Sequence, residues 1–509
     1  YEFESMRHLL IIILLVSNYS CSNNEKIKKP NIIYILADDL GYGDLSIYNQ
    51  NSKISTPNIN SIGNQGMIFS DMHSTSSVCT PTRYSILTGE YAWRTKLKNG
   101  VLWSYGEPLI PENKKTVGSM LKKYGYTTSV IGKWHLGLGW ERKAKISKSN
   151  ADISDSGLIR NIDEKIIDFS KNPTFGPPQN GFDYSFILPS SLDIPPYLYL
   201  ENNKFIKPVN NYTDGNKPNY DSSGAFWRAG PMAEDFEIDQ VLPTFFDKSK
   251  KYIKRVQNED KPFFLYLPLP GPHTPWLPLD SFRDSSGAGE YGDFVKMIDY
   301  HVGDLLNHLK SLNLEKNTMV IFTSDNGPYW WPESIERFNH KAAFELKGMK
   351  GDIYDGGHRI PFMVKYPGII KEKSTNSDVN SLASLMGTLG EMLGEESNNI
   401  GIDSYSFYDA LINDNYKSEP KSIIHHSSKG FFSIRKEKWK LIENLGSGGF
   451  SKPVFIEPNQ GETIYSLFNM DEDISETNNL SNKYPEIVKG LITEMNSIKK
   501  KSKNLNSYY

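Results

Sequence analysis

Cysteine is scarce in this chain: Cys21 and Cys79 are the only two in 509 residues. A disulfide framework is thereby excluded, since two thiols make one bridge at most. Long apolar runs are missing as well. The run Leu9–Val16, LLIIILLV, is too short to cross a bilayer as a helix, and nothing beyond residue 26 is longer. Strong charge of one sign is also absent. A formal net charge of -3 excludes a general nucleic-acid binder, so an anionic ligand must be met by a local basic pocket. No internal repeat is visible.

Core material is abundant, with 38% hydrophobic and 12% aromatic residues. A chain of this length holds one large domain with an appendage, or several domains. At the start, Met6-Arg7-His8 precedes the apolar run, and SNYSCSNNEK follows it. A basic head, a short apolar stretch and small residues make an export signal. Cys21, after Ser20, resembles the lipid-modified cysteine of bacterial lipoproteins; plain secretion is the alternative. Residues 1–28 are therefore expected to be a signal or lipoprotein segment. The mature protein is expected in the periplasm or at the cell surface on a bacterial lipid anchor, or secreted. Once Cys21 is lipidated or removed, Cys79 stands alone.

Residues 29–415 read as an α/β domain. NIIYIL (31–36) is a short apolar run rich in β-branched residues and reads as a buried strand; TTSVIG (127–132) and FFLYLPL (263–269) read as strands, and NTMVIFTSDNG (317–327) as a strand running into a polar turn. Residues 56–66, 116–126 and 290–314 carry helical spacing. This alternation predicts a large mixed, mostly parallel sheet flanked by helices. The Asn- and Ser-rich region 145–260 reads as long loops around a site. Residues 416–509 change texture and predict a small antiparallel sheet with a final amphipathic helix.

Four of the strands run into polar residues: Asp38-Asp39, Lys133-Trp134-His135, His273 and Asp325-Asn326. Ligands of open α/β sheets lie outside the carboxyl ends of the strands, so these groups can converge. An Asp-Asp or Asp-Asn-Gly sequence alone is an ordinary turn. Two such pairs after apolar strands favour a hard cation, Ca²⁺ or Mg²⁺, bound through oxygen. In VCTPTRYSILTG (78–89), Pro81 suits the first position of a helix and Gly89 its end. Cys79 then lies at the helix N-terminus with Arg83 nearby. A lone cysteine is usually a buried hydrophobe, but this setting favours a chemical role.

Cys79-Thr80-Pro81-Thr82-Arg83, with Leu87-Thr88-Gly89, is similar to the signature of the type I sulfatases in the alkaline phosphatase superfamily. LADDLGYGD, GKWHLG, PHTP, SDNGP and LKGMKGDIYDGGHRIPF follow the family in order, and IRKEKWKLI and IYSLFNMDEDISETNNL resemble its small C-terminal domain. Thr82 stands where serine or alanine is commoner. Asp355 stands where glutamate is usual, which points to a structural role.

The resemblance implies that Cys79 is oxidised to formylglycine (3-oxoalanine) by a formylglycine-generating or maturase enzyme. It implies one Ca²⁺ held by Asp38, Asp39, Asp325, Asn326 and the modified Cys79. Arg83 would hold the formylglycine, Lys133 would clamp a sulfate oxygen, and His135 would be the base of the second step. His273 and Lys350 would protonate the leaving oxygen and bind sulfate. His340 and His358 lie near these segments as further lining candidates. The implied activity is removal of sulfate from a sulfated carbohydrate, a poly- or oligosaccharide. Phosphate or phosphonate monoester hydrolysis on the same scaffold, and non-catalytic binding of sulfated glycans by a lipoprotein, are the alternatives. Asp193, in PSSLDIPPYLYLENN, and Trp330 and Trp331, in GPYWWPE, combine acid and flat aromatic surface suited to sugar rings.

Overall fold

Strand β1 (Asn31–Ala37), NIIYILA, is buried along its whole length in a computed structural model of the chain. A strand covered on both faces has no reason to alternate polar and apolar residues, hence the continuous apolar run. The structure describes residues 29–217, 224–413, 416 and 419–501. The expected signal and lipid segment, Cys21 included, lies outside the described residues. No helix among them is long and apolar enough to cross a membrane.

β1 is central to a 10-stranded sheet. Its other strands, in chain order, are β2 (Met67–Phe69), β3 (Thr127–Lys133), β4 (Tyr184–Leu188), β5 (Leu200–Glu201), β6 (Lys204–Phe205), β7 (Phe263–Pro268), β8 (Thr318–Ser324), β9 (Phe362–Lys365) and β10 (Ser374–Asn376). They lie in the order β10-β2-β9-β8-β1-β7-β3-β4-β5-β6. The central strands β8, β1, β7, β3 and β4 are all parallel, so their carboxyl ends share one edge. β9 runs antiparallel to β8, and β5 to β4.

Helices cover the sheet: α1 (Pro57–Asn64), α2 (Cys79–Thr88), α3 (Val117–Lys123), α4 (Val241–Val256) and α5 (Gly289–Ser311). Thr116 and Ser119 close a capping box at the start of α3. α4 and β4 lie inside the region read from sequence as loops, which corrects that reading. α4 buries Val241, Leu242, Phe245, Phe246, Tyr252, Ile253 and Val256, a helical stripe set among polar neighbours. α1 stops at Asn64, before Gly66, and is followed by β2 and a two-residue strand at Met72–His73.

The C-terminal part carries the four-stranded antiparallel sheet β11 (Ser422–His426), β12 (Phe432–Lys436), β13 (Trp439–Ile442) and β14 (Ser466–Asn469), followed by α6 (Pro485–Lys500). Ile424, Ile434, Leu441 and Leu467 pack with Val488, Leu491 and Met495 of α6 in a second core that also takes in Tyr91 and Trp93. The sheet reaches toward α2 as well: His426 pairs with Ser76, three residues before Cys79.

Candidate active site

Every chemical group predicted from the strand ends is delivered to the same edge. Asp38 and Asp39 leave β1, Asp325 and Asn326 leave β8, Lys133 closes β3 with His135 two residues on, and His273 follows β7. Asp193 comes from the turn after β4. β3 approaches β7 so closely that a side chain at Gly132 would lie 1.9 Å from the Pro268 carbonyl oxygen, at a φ of +143°. Glycine there is a condition for Lys133 and His135 to reach the site. Asp39 and His135 themselves take left-handed backbone angles, φ 65° and 54°, which aspartate and histidine adopt more readily than most non-glycine residues.

α2 brings Cys79 in as its first residue, with extended Val78 as the cap. Pro81 is thus the third helical residue, not the first; its missing N–H is still one of the unpaired donors of the first turn. Gly89 ends the helix in the left-handed region, as expected. The Cys79 thiol is buried and lies 3.3 Å from Nδ1 of His135. Nε2 of that ring meets the Leu102 carbonyl at 2.9 Å, so it carries the hydrogen and leaves the Nδ1 lone pair toward Cys79. Burial, with Lys133 and Arg83 nearby, holds the His135 pKa well below the usual histidine value.

Arg83, expected to hold the modified residue, is engaged with Asp325, and the thiol itself is not activated. Burial pushes the Cys79 pKa up to about 11, against the pull of Lys133 and Lys350. The Arg83 guanidinium points to Asp325, at 3.0 Å through Nε and 2.7 Å through Nη2, and donates to the Lys133 carbonyl at 3.0 Å. Cys79 is therefore a neutral thiol, unsuited to attack as it stands.

Asp38, Asp39 and Asp325 are buried together with Arg83, Lys133 and Lys350. Lys133 bonds Asp38 and, at 3.2 Å, Ser191. Lys350 bonds Asp39 at 2.7 Å, and Asn326 reaches the same residue at 2.7 Å. Nε2 of His273 stands 3.7 Å from Asp39 and its Nδ1 3.8 Å from Asp193. Burial opposes the charge of Asp38, but Lys133, His273, Arg83 and Lys350 outweigh it and hold its carboxyl well below the usual range. Asp325 goes the other way: burial and the Asp38 charge push it up to about 7.

Asp38 Oδ1 and Asn326 Oδ1 are buried without a hydrogen-bond partner. Orphaned hard oxygens beside a carboxylate forced toward protonation fit a divalent cation. With it, the positive charges would exceed the carboxylates, which suits an anionic ester.

Residues 30–395 match the family model described as Sulfatase. The chain belongs to the sulfatase family. It is accordingly a hydrolase of sulfate esters. An N-acetylgalactosamine-6-O-sulfatase from Bacteroides thetaiotaomicron is 31% identical, with 94% of each chain covered. Human arylsulfatase A is 30% identical over 81% of this chain and 74% of its own. A solved B. thetaiotaomicron structure, described under the metabolism of multiple glycosaminoglycans, superposes with a TM-score of 0.78 at 30% identity, covering 93% of this chain and 100% of that one.

Several residues picked from the sequence lie outside the cluster of this sulfatase. Trp330 is buried among Tyr291, Trp276 and Phe338, and its indole donates to the His340 carbonyl at 2.9 Å, so it is core. Trp331 is half-buried and edge-on to Tyr329. His340 does not line the site: it bonds Asp44 at 2.8 Å. His358 stacks on His425 beneath the small sheet. Asp44 was missed, although it is the third acid of LADDLGYGD; with Tyr291 and the Gly41 amide it fixes the loop that carries Asp38 and Asp39. Ser191 and Leu102, which orient Lys133 and His135, carry no signature in the sequence.

Proposed function

We propose that this sulfatase removes sulfate from a sulfated carbohydrate, using a formylglycine made from Cys79 by a maturase and a Ca²⁺ ion held by Asp38, Asp39, Asp325 and Asn326. The observation that carries the reading is the Cys79 environment: a buried thiol facing a histidine lone pair beside a carboxylate cluster with unpartnered hard oxygens on Asp38 and Asn326. When present, the hydrated aldehyde supplies an oxygen nucleophile for sulfur and a second hydroxyl for sulfate release, while the calcium ion lowers the proton affinity of the attacking oxygen.

The remaining work belongs to the chain. His135 Nδ1 accepts a proton at the Cys79 side chain. Lys133 and Lys350 set ammonium groups where sulfate oxygens need neutralising, and Arg83 holds Asp325 in place. His273 gives a proton to the departing alcohol oxygen. The named specificity of the 31%-identical relative supports a sugar ester as substrate. The pattern of residues 6–26 supports export, with Cys21 as the lipid attachment point.

Mass spectrometry of the peptide containing Cys79, from protein made together with a maturase, tests the reading. An aldehyde is expected there, and Cys79→Ala should remove turnover without lowering thermal stability. Chelation should remove both turnover and several degrees of stability, with Ca²⁺ restoring them. An unmodified cysteine in fully active enzyme would sink the proposal, as would faster turnover of the phosphate than of the sulfate ester of one alcohol.

A further inference from the structure

Asp193 faces the site with one oxygen and leaves it with the other. Its Oδ1, 3.8 Å from His273, is buried without a hydrogen bond, whereas Oδ2 accepts from Nη1 of Arg228 at 2.5 Å. The same Nη1 donates to the Asp193 carbonyl at 3.0 Å, and the Arg228 amide does so at 3.2 Å. The guanidinium is also stacked, 5.1 Å from the Trp103 ring and 5.0 Å from Phe226. Trp103 follows Leu102, whose carbonyl orients His135. Arg228 is thus held by Asp193, which faces His273, and by Trp103, the neighbour of the residue that orients His135.

One part of this guanidinium is unused. Its Nε and Nη2 have no protein partner among the described residues, and the side chain is 39% exposed. Arg83 presents the same Nε and Nη2 edge to Asp325. That edge is a planar fork matched to two oxygens of one anion, and stacking makes it rigid before the ligand arrives. A rigid cation with a free fork, one carboxylate away from the proposed proton donor, is set to read a second acidic group of the substrate.

The geometry points to Arg228 as a specificity residue that binds a carboxylate or second sulfate next to the sulfate being removed. This rests on the carbohydrate reading above, and it narrows the substrate class to glycans with more than one anionic group near the cleaved ester.

The test compares kcat and KM for wild type, Arg228→Met and Arg228→Lys on three disaccharides carrying the same sulfate ester. One has a neighbouring uronate, one has that carboxyl reduced to an alcohol, and one has a second sulfate in its place. Wild type should prefer an acidic substrate. In Arg228→Met that preference should fall about tenfold or more, through KM. Arg228→Lys keeps the charge without the fork and should fall between. The acidic substrate whose advantage collapses identifies the anion. Parallel losses on acidic and neutral substrates, or a wild type without preference, would overturn the role of Arg228 and leave the carbohydrate reading standing. Hydrolysis of an aryl sulfate with no turnover of any sulfated sugar would instead overturn the carbohydrate reading, and this proposal with it.

Discussion

His273 separates binding from proton transfer better than any other residue of the site. Its ring lies between Asp39 and Asp193, apart from the Cys79–His135 pair. A sugar alkoxide leaves only with a proton, whereas a phenolate with a low pKa leaves without one. His273→Ala should therefore lower kcat on a sugar sulfate by about 10²- to 10⁴-fold, the usual worth of general acid catalysis, and much less on an activated aryl sulfate. Steady-state rates on both substrates decide it, and equal slowing would remove the acid role. At this scale the polar residues at strand ends, Asp38, Asp39, Lys133, His135, His273, Asp325 and Asn326, were legible in sequence, whereas Lys350 came only from the family resemblance. The contacts of the site residues were not legible. Arg83 is four residues from Cys79, yet its guanidinium is taken by Asp325, 242 residues away in sequence. Trp330 and Trp331 are neighbours in sequence, but one is core and the other half-exposed, a matter of backbone direction that composition does not encode.

Elements were legible where burial is complete. β1, β7 and β8 carry continuous apolar runs because both of their faces are covered, β3 buries Thr128 and Ser129 beside Val130 and Ile131, and α5 keeps its stripe over several turns. α4 went unread although its apolar spacing is regular, since Asn- and Ser-rich flanks mask it. Strands of two residues, such as β5 and β6, carry no period at all. The segment carrying Lys350 lies in no regular element and is placed largely by bonds to distant residues. Gly351 donates to the Ser77 carbonyl, Ser428 donates to that of Gly351, and Ile353 donates to that of Ser447. Beneath it, the Lys440 ammonium bonds Asp355 at 2.7 Å and Glu476 at 2.8 Å, all three fully enclosed. Asp355 also holds Arg359 at 2.9 Å, which accounts for an acid at this place in the YDGG segment. Burial and the charge of Asp355 push Glu476 up to about 7 even with Lys440 present. Lys440→Met would leave buried Glu476 without its paired cation and Asp355 with Arg359 alone, a loss of about 3–5 kcal/mol. Urea denaturation measures this; a change below about 1 kcal/mol would show that the lysine is not what holds this joint.

Across the whole molecule, the two sheets meet over histidines. His73, His358 and His425 cluster with their rings 3.9 to 5.2 Å apart, and His426 extends β11 onto the segment before Cys79. His426 is the cleanest of them to test. Neither of its ring nitrogens has a partner among the described residues, and burial pulls its pKa down to about 4. A base whose pKa is lowered by folding binds fewer protons in the folded state than in the unfolded chain. Its neutral form is stable above pH 6.5, and stability is lost as pH falls from there toward 4. For His426 this amounts to about 2.5 kcal/mol between pH 7.5 and 4.5. His426→Leu conserves most of the volume and removes the titration. The variant should therefore lose less stability than wild type on acidification, by about that amount, when denaturation midpoints are compared at the two pH values. Equal acid losses would mean that His426 is hydrated or protonated in the folded protein, and that the joint between the sheets is not where acid acts.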